Sequence, residues 1–305
     1  MKKSESECAG AGFRVVTAAG VLADALKTAD AAMSRRRGDL DRFRSVLLES
    51  IDGRSLVAVA TDGYSMHVSA PAGIAGAALD GPSRCVLSAE DTRILRLFVS
   101  GAPRRADMVA ALGESGLVVR HGKHQVRFAA GDYAYPDWRR VVAEAERSLG
   151  GEGGRSVTTR MDDAAWRLRR LCSSMNAAAA KGASPDDRYA CVMSLQENCD
   201  HAPPALLLRP FAPFSASPGA LLLDQTDPAS RATPGAPPAT LRISARRLLN
   251  AVRCVGSPAG RVTIRWAPPA GTAIGRPPIR GDGQVPVSVT GDAGFALIMP
   301  QRGSS

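Results

Sequence analysis

The sequence predicts an α+β fold of two domains, each with two helices packed on antiparallel sheets. Three observations predict it. Apolar residues at helical spacing alternate along the chain with short apolar runs bounded by turn residues. A helix–strands–helix–strands order occurs once before and once after residue 150. Between the copies lies a polar, glycine-rich stretch, AEAERSLGGEGGRS over 143–156. This gives domains at 13–145 and 157–305, with 146–156 as a linker. A chain of 305 residues is long enough for two cores, and an apolar fraction of 45% is that of ordinary globular proteins.

The first half opens with an amphipathic helix from about Ala18 to Met33, its apolar side formed by Leu22, Ala25, Leu26, Ala29 and Met33. Arg35-Arg36-Arg37-Gly38 ends it. Strands over 44–50 and 55–60 follow, joined by a turn at Asp52-Gly53. A second helix starts after Ser88, whose hydroxyl suits an N-cap with Asp91 three residues on, and runs to about Ser100. Strands over 116–120 and 125–129 close the half around the turn His121-Gly122-Lys123-His124.

In the second half a helix is expected over 162–180, strands over 189–195 and 205–209, and a helix from Ser244. Strands over 262–266, 285–290 and 294–299 complete it. The segments 227–238 and 268–283, rich in Pro, Gly and Ala, read as long loops. The plan repeats in residues as well as in order. Ser88-Ala89, Arg93-Ile94-Leu95 and Gly101-Ala102-Pro103 parallel Ser244-Ala245, Arg247-Leu248-Leu249 and Gly256-Ser257-Pro258. Each set is a capped helix, an apolar centre and a Gly/Pro stop, which argues for an internal duplication.

The formal charge is +10, and 34 of the 39 basic residues are arginines. Such a surface attracts polyanions, nucleic acids foremost. The six cysteines lack CxxC spacing, so they read as small apolar residues of a reducing cytoplasm, neither a zinc site nor a disulfide framework. No apolar run reaches the length of a membrane span. Met1 to Gly12 has no apolar core of a secretory signal and reads as a frayed lead-in. Catalytic patterns are weak. His121 and His124 sit in a hairpin turn without a matching carboxylate, and His67 and His201 have no nucleophile beside them in sequence. Asp186-Asp187 reads as a turn, and Gly150-Gly151-Glu152-Gly153-Gly154 lacks the lysine of a phosphate loop.

Three segments carry a family resemblance. They are Val59-Ala60-Thr61-Asp62-Gly63-Tyr64, Tyr135-Pro136-Asp137-Trp138-Arg139-Arg140-Val141-Val142, and the tail Phe295-Ala296-Leu297-Ile298-Met299-Pro300-Gln301-Arg302. In this order and at these separations they resemble the bacterial DNA sliding clamp, the β subunit of DNA polymerase III. The resemblance covers about residues 14 to 302 and matches the middle and C-terminal domains of that family, with its first domain absent. It implies two DNA-clamp-type domains and a protein without active site, metal or cofactor.

The resemblance further implies a groove for short linear motifs of polymerase and clamp loader, between apolar walls. Position by position it assigns that groove to Phe43, Thr61, Gly63, Tyr64, Ser65, Met66, Pro136, Arg140, Val141, Met299, Pro300 and Arg302. Met66 and Met299 are adaptable apolar walls. Two departures stand out: Tyr64-Ser65-Met66 replaces the usual His-Arg-Leu, and Gly303-Ser304-Ser305 extends the tail. It also implies that helices face duplex DNA. Their basic residues are Arg35, Arg36, Arg37, Arg93, Arg96, Arg167, Arg170, Arg246 and Arg253. Contacts of this kind go to phosphates and carry no sequence information.

The expected function is therefore a sliding clamp that encircles duplex DNA and tethers polymerase or repair partners. A clamp of three domains closes as a dimer, so a chain of two domains is expected to close as a homotrimer. The competing expectation is a non-ring adaptor or decoy that binds clamp-interacting peptides or a host clamp.

Overall fold

The computed structural model describes residues 11–36, 38–51, 55–72, 74–78, 84–113, 116–131, 134–150, 154–184, 188–196, 205–211, 221–224, 241–267 and 285–300. The chain divides into two compact units, Met1–Asp137 and Trp138–Ser305.

In the first unit β1 (Ala11–Ala18) leads directly into α1 (Ala19–Asp30). A single 3-10 turn (Asp41–Phe43) precedes β2 (Val46–Ile51), β3 (Ser55–Thr61), β4 (Ser65–Ser69) and β5 (Ile74–Ala78). Then come β6 (Arg84–Leu87), α2 (Ala89–Ser100), β7 (Asp107–Gly113), β8 (Gly116–His121) and β9 (His124–Phe128). The strands form two antiparallel layers, in the orders β5-β1-β7-β8-β9 and β4-β3-β2-β6. The core contains Phe13, Leu22, Leu26, Leu48, Leu56, Leu95, Met108 and Leu117 from both layers and both helices. The run Leu56–Ala60 of β3 is wholly buried, as expected of a strand covered on both faces. Gly116 turns β7 into β8 at φ 122°, where a Cβ would stand 2.0 Å from the Phe128 carbonyl oxygen, so only glycine fits.

The second unit begins with α3 (Trp138–Leu149), then β10 (Arg155–Arg160) and α4 (Met161–Ala178). It continues through β11 (Ala190–Gln196), β12 (Ala205–Pro210), β13 (Leu221–Asp224) and β14 (Leu241–Ser244). It ends with α5 (Ala245–Val255), β15 (Arg261–Trp266), β16 (Val287–Gly291) and β17 (Gly294–Ile298). Its strand orders are β10-β15-β16-β17 and β13-β12-β11-β14, antiparallel throughout. Leu168, Leu171, Met175, Leu248, Val252, Ile264 and Trp266 fill the core.

Each unit contains two strand–helix–strands copies, with three strands after the helix in all but the first, which has four (β2–β5). The copies swap partners: β1 pairs β7 and β2 pairs β6, just as β10 pairs β15 and β11 pairs β14. The two parallel segments of the sequence, after Ser88 and Ser244, are the second helix of each unit. Both caps are made: the Asp91 amide donates to Ser88 Oγ at 3.1 Å and the Arg247 amide to Ser244 Oγ at 3.4 Å.

The structure departs from the sequence reading in several places. Ala11 and Gly12, taken as the end of a lead-in, open β1. The first helix stops at Asp30 rather than Met33, because the amides of Ala32 and Met33 bond three residues back, to Ala29 and Asp30, and tighten the chain into a turn. Residues 146–149, assigned to the linker, are the last turn of α3. Trp138, Ala145 and Leu149 are its buried side, and Arg265 of β15 donates to Glu146 at 2.8 Å. The turn at Asp52-Gly53, the loop segments 227–238 and 268–283, Asp186-Asp187, His201, Arg37 and Arg302 lie outside the described residues.

Candidate functional site

The densest of the predicted groove segments is the turn from β3 to β4. Asp62 organises it: its Oδ1 accepts from the amides of Tyr64 (2.9 Å) and Ser65 (2.7 Å) and from Ser65 Oγ (3.0 Å). Thr61 Oγ1 donates to the Ser65 carbonyl at 2.8 Å and accepts from the Gly63 amide at 3.1 Å. Gly63 takes φ 83°, and a Cβ there would touch the Phe43 ring at 3.4 Å. The glycine thus provides the left-handed backbone of the turn, with the ring at ordinary contact distance. Phe43 is half-buried, ends the 3-10 turn, and carries the Arg42 guanidinium 5.2 Å from its ring centroid. The arrangement displays Tyr64, 52% exposed, while Met66, paired with Thr61 across β3–β4, is buried.

Tyr135 donates from its hydroxyl to the Val59 carbonyl of β3 at 3.0 Å, which ties the half-buried Pro136 to this layer. Burial pushes the Tyr135 phenol well above its ordinary range, so it stays a donor. Phe43, Thr61, Gly63, Tyr64 and Ser65 are therefore gathered in one place in the first unit, with Pro136 tied to the same layer.

The remaining predicted groove residues are in the second unit. Arg140, exposed, and Val141, half-buried, lie in the first turn of α3. Met299, 37% exposed, leaves the end of β17, and Pro300 behind it is buried.

Beneath the turn, His67 of β4 is buried and its Nδ1 donates to the Thr28 carbonyl of α1 at 3.1 Å. A carbonyl only accepts, so the proton sits on Nδ1. Burial lowers its pKa to about 4, against smaller upward pulls from the Thr28 bond and from Asp62. The histidine is a neutral strut between helix and sheet.

The predicted basic residues fall into two environments. In the first unit Asp30, at the end of α1, binds both Arg35 (2.7 Å) and Arg96, and Asp24 binds Arg104 (2.6 Å). Arg36 and Arg93 are exposed. In the second unit the acidic side chains of α4 are confined to its first turn, where Asp162 pairs with Arg160 (2.8 Å) and Asp163 with Arg167 (2.9 Å). The Arg160 hydrogen bond, with that from the Asp163 amide, holds the Asp162 carboxyl below its usual range.

Beyond that turn Arg169 and Arg170 are exposed, as are Arg246, Asn250 and Arg253 of α5. Arg170 lies 4.9 Å from the Trp166 ring centroid. Arg246 lies 5.3 Å from the Tyr189 ring centroid and reaches the Tyr189 hydroxyl at 3.3 Å. That hydroxyl donates to Asn176 Oδ1 at 3.3 Å, and Arg188 donates to the same oxygen at 3.3 Å. The sequence reading named Arg167 and Arg170 but missed Trp166 and Arg169. The available signal was the spacing of Trp166 and Arg170, four apart on one helix, which places ring and cation together.

Of the histidine pair in the β8–β9 hairpin, His121 donates from Nδ1 to the Asp107 carbonyl at 3.2 Å. Among the described residues no cluster of three His, Cys, Asp or Glu side chains is placed to hold a metal ion. Burial raises the Cys85 and Cys172 thiols to about 11, which keeps them protonated. No described helix is long and apolar enough to cross a membrane.

No protein-family model matches the sequence, and neither does any curated protein sequence. Solved structures do match the fold. The beta sliding clamp of C. crescentus aligns over 96% of this chain and 67% of its own, with TM-score 0.67 and 16% identity. The DNA polymerase sliding clamp of Pseudomonas aeruginosa aligns over 96% and 67%, with TM-score 0.68 and 14% identity. The DNA polymerase III subunit beta of Borrelia burgdorferi aligns over 96% and 65%, with TM-score 0.66 and 11% identity. The chain thus has the fold of these clamps across about two thirds of their length.

Proposed function

From that fold we propose that the protein is a DNA sliding clamp: a ring of three copies around duplex DNA, holding polymerase or repair partners by short peptides. The observation that carries this reading is the arginine set Arg169, Arg170, Arg246 and Arg253, all exposed on two packed helices, α4 and α5, of a clamp fold. Arg93 of α2 adds to it. Contacts from such side chains reach phosphates at any sequence, as sliding requires. Two clamp-type units per chain fill a ring of six units as three copies, and β9 and β13 are sheet edges suited to join them.

The proposed peptide-binding residues are Phe43, Gly63, Tyr64 and Pro136 in the first unit, and Val141, Met299 and Pro300 in the second. Tyr64 in the first set and Met299 in the second are the exposed apolar anchors. Binding and sliding need neither active site nor cofactor.

The test is topological. Loaded protein is expected to stay on nicked circular DNA and to be lost when the circle is cut, with a solution mass about three times the 31.9 kDa chain. A monomer over a wide concentration range whose DNA retention ignores linearisation would reject the ring. Peptide binding that survives in such a monomer would assign the adaptor role instead.

A further inference from the structure

We infer that the exposed face of α4 formed by Trp166, Arg169 and Arg170 is a contact site for single-stranded DNA, with Trp166 stacking on an unpaired base. The inference rests on the nucleic-acid side of the function proposed above, but not on ring closure.

Trp166 is 54% exposed on a helix whose other large apolar residues, Leu168, Leu171 and Met175, are buried. Arg170 is 4.9 Å from the Trp166 ring centroid, Arg169 is exposed beside it, and neither arginine has an ion-pair partner among the described residues. Both acids of the helix lie in its first turn and are already bound by Arg160 and Arg167. The following turns present only Ser173, Ser174 and Asn176 as polar neighbours. Arg253 of the neighbouring α5 extends the positive field.

An aromatic ring set among uncompensated guanidinium groups matches a polyanion that also offers a flat apolar face. Single-stranded DNA is such a ligand, because its bases are free to leave their stack and its phosphates lie alongside. In a duplex the base faces are occupied by neighbouring pairs, so the indole would gain little. A second copy of this chain, with net charge +10, would bring its own positive field against this face.

Intrinsic fluorescence tests the proposal directly, since Trp138 and Trp266 are only 8% and 0% exposed and Trp166 dominates the solvent-exposed emission. Titrating the full chain with oligo(dT) is expected to quench that emission, and a duplex of equal length is expected to quench it far less. Trp166→Leu should weaken oligo(dT) binding, followed by anisotropy of a labelled strand, about 5- to 100-fold. Trp166→Phe should restore most of it. Retention on nicked circular duplex should be unchanged in both variants, and far-UV circular dichroism confirms that each is folded.

Equal quenching by single strand and duplex would overturn the inference, as would no quenching by oligo(dT). An emission that shifts to the blue with protein concentration alone would also overturn it, by showing the indole covered by another copy. The clamp reading stands or falls separately, on retention by the uncut circle.

Discussion

The helix pairs α1/α2 and α4/α5 occupy equivalent places in the two units yet present opposite surfaces. Inside they agree. Leu26 and Leu168 are each the eighth residue of their helix and are wholly buried, and each second helix starts from a serine cap. Outside they diverge. The first pair exposes Val21, Ile94 and Leu97, at 46%, 40% and 63%, and gives Arg35, Arg96 and Arg104 to Asp30 and Asp24. The second pair leaves Arg169, Arg170 and Arg253 without carboxylate partners among the described residues and exposes one tryptophan. The helices of the second pair also carry six arginines against two in the first. In the function proposed above, the uncompensated arginines assign the larger share of phosphate contacts to the second unit.

If the agreement inside is real, the two leucines should respond alike. Leu26→Ala and Leu168→Ala are each expected to cost about 2–5 kcal/mol, since neither core can close fully over the cavity. Urea unfolding followed separately in each unit would measure it. A cost under about 1 kcal/mol at either site would break the equivalence of the two helices.

Acid should separate the units. His67 is neutral when folded, with its pKa near 4 against an ordinary 6.5, so the unfolded chain takes up the proton first. Its contribution is therefore complete above pH 6.5 and lost progressively as pH falls towards 4, by about 3 kcal/mol in all. The described residues of the second unit contain no histidine. Hydrogen exchange at pH 5 should speed up in β3 and β4 more than in β15 and β16, and His67→Gln should remove the difference. Equal loss in both units would mean that carboxylates, not His67, set the acid response.

These contrasts explain what could be read from sequence. The helices after Ser88 and Ser244 were legible because their signals are local: a capping hydroxyl, an apolar stripe, a glycine stop. The strands β1, β6 and β14 were not, because each runs directly into a helix and finds its partner far along the chain, as β1 does in β7. The last turn of α3 was masked by its charges, and what holds it, Leu149 and the Arg265–Glu146 pair, is tertiary. At the site, Thr61-Asp62-Gly63 announced a tight turn, while the contact of Phe43 with Gly63 crosses 20 residues and has no sequence mark. The largest omission was Asp30. Only the fold brings Arg96 to it, so Arg35 and Arg96 were counted as free charge.

The cost of removing a counter-charge should differ accordingly. Asp30→Asn breaks two pairs at a side chain only 11% exposed and is expected to cost about 1–2 kcal/mol. Asp163→Asn breaks a single pair, four residues apart on α4, for about 0.3–0.5 kcal/mol. Matched urea midpoints would show that the two acids are equally dispensable and that Asp30 is no special anchor.

The smallest effect is the sharpest test of the two surfaces. Each arginine that neutralises a phosphate steepens the fall of log affinity with log salt by about 0.9. Arg253→Gln removes a charge with no carboxylate partner among the described residues and is expected to flatten that slope by nearly this amount on duplex DNA. Arg96→Gln removes a charge already held by Asp30 and should leave the slope almost unchanged. In the Asp30→Asn background the same Arg96→Gln change should begin to matter, because the guanidinium is then released to find a phosphate. If Arg96 and Arg253 give equal slopes in the native background, pairing with Asp30 does not withhold charge from DNA, and the asymmetry between the two helix pairs is one of shape alone.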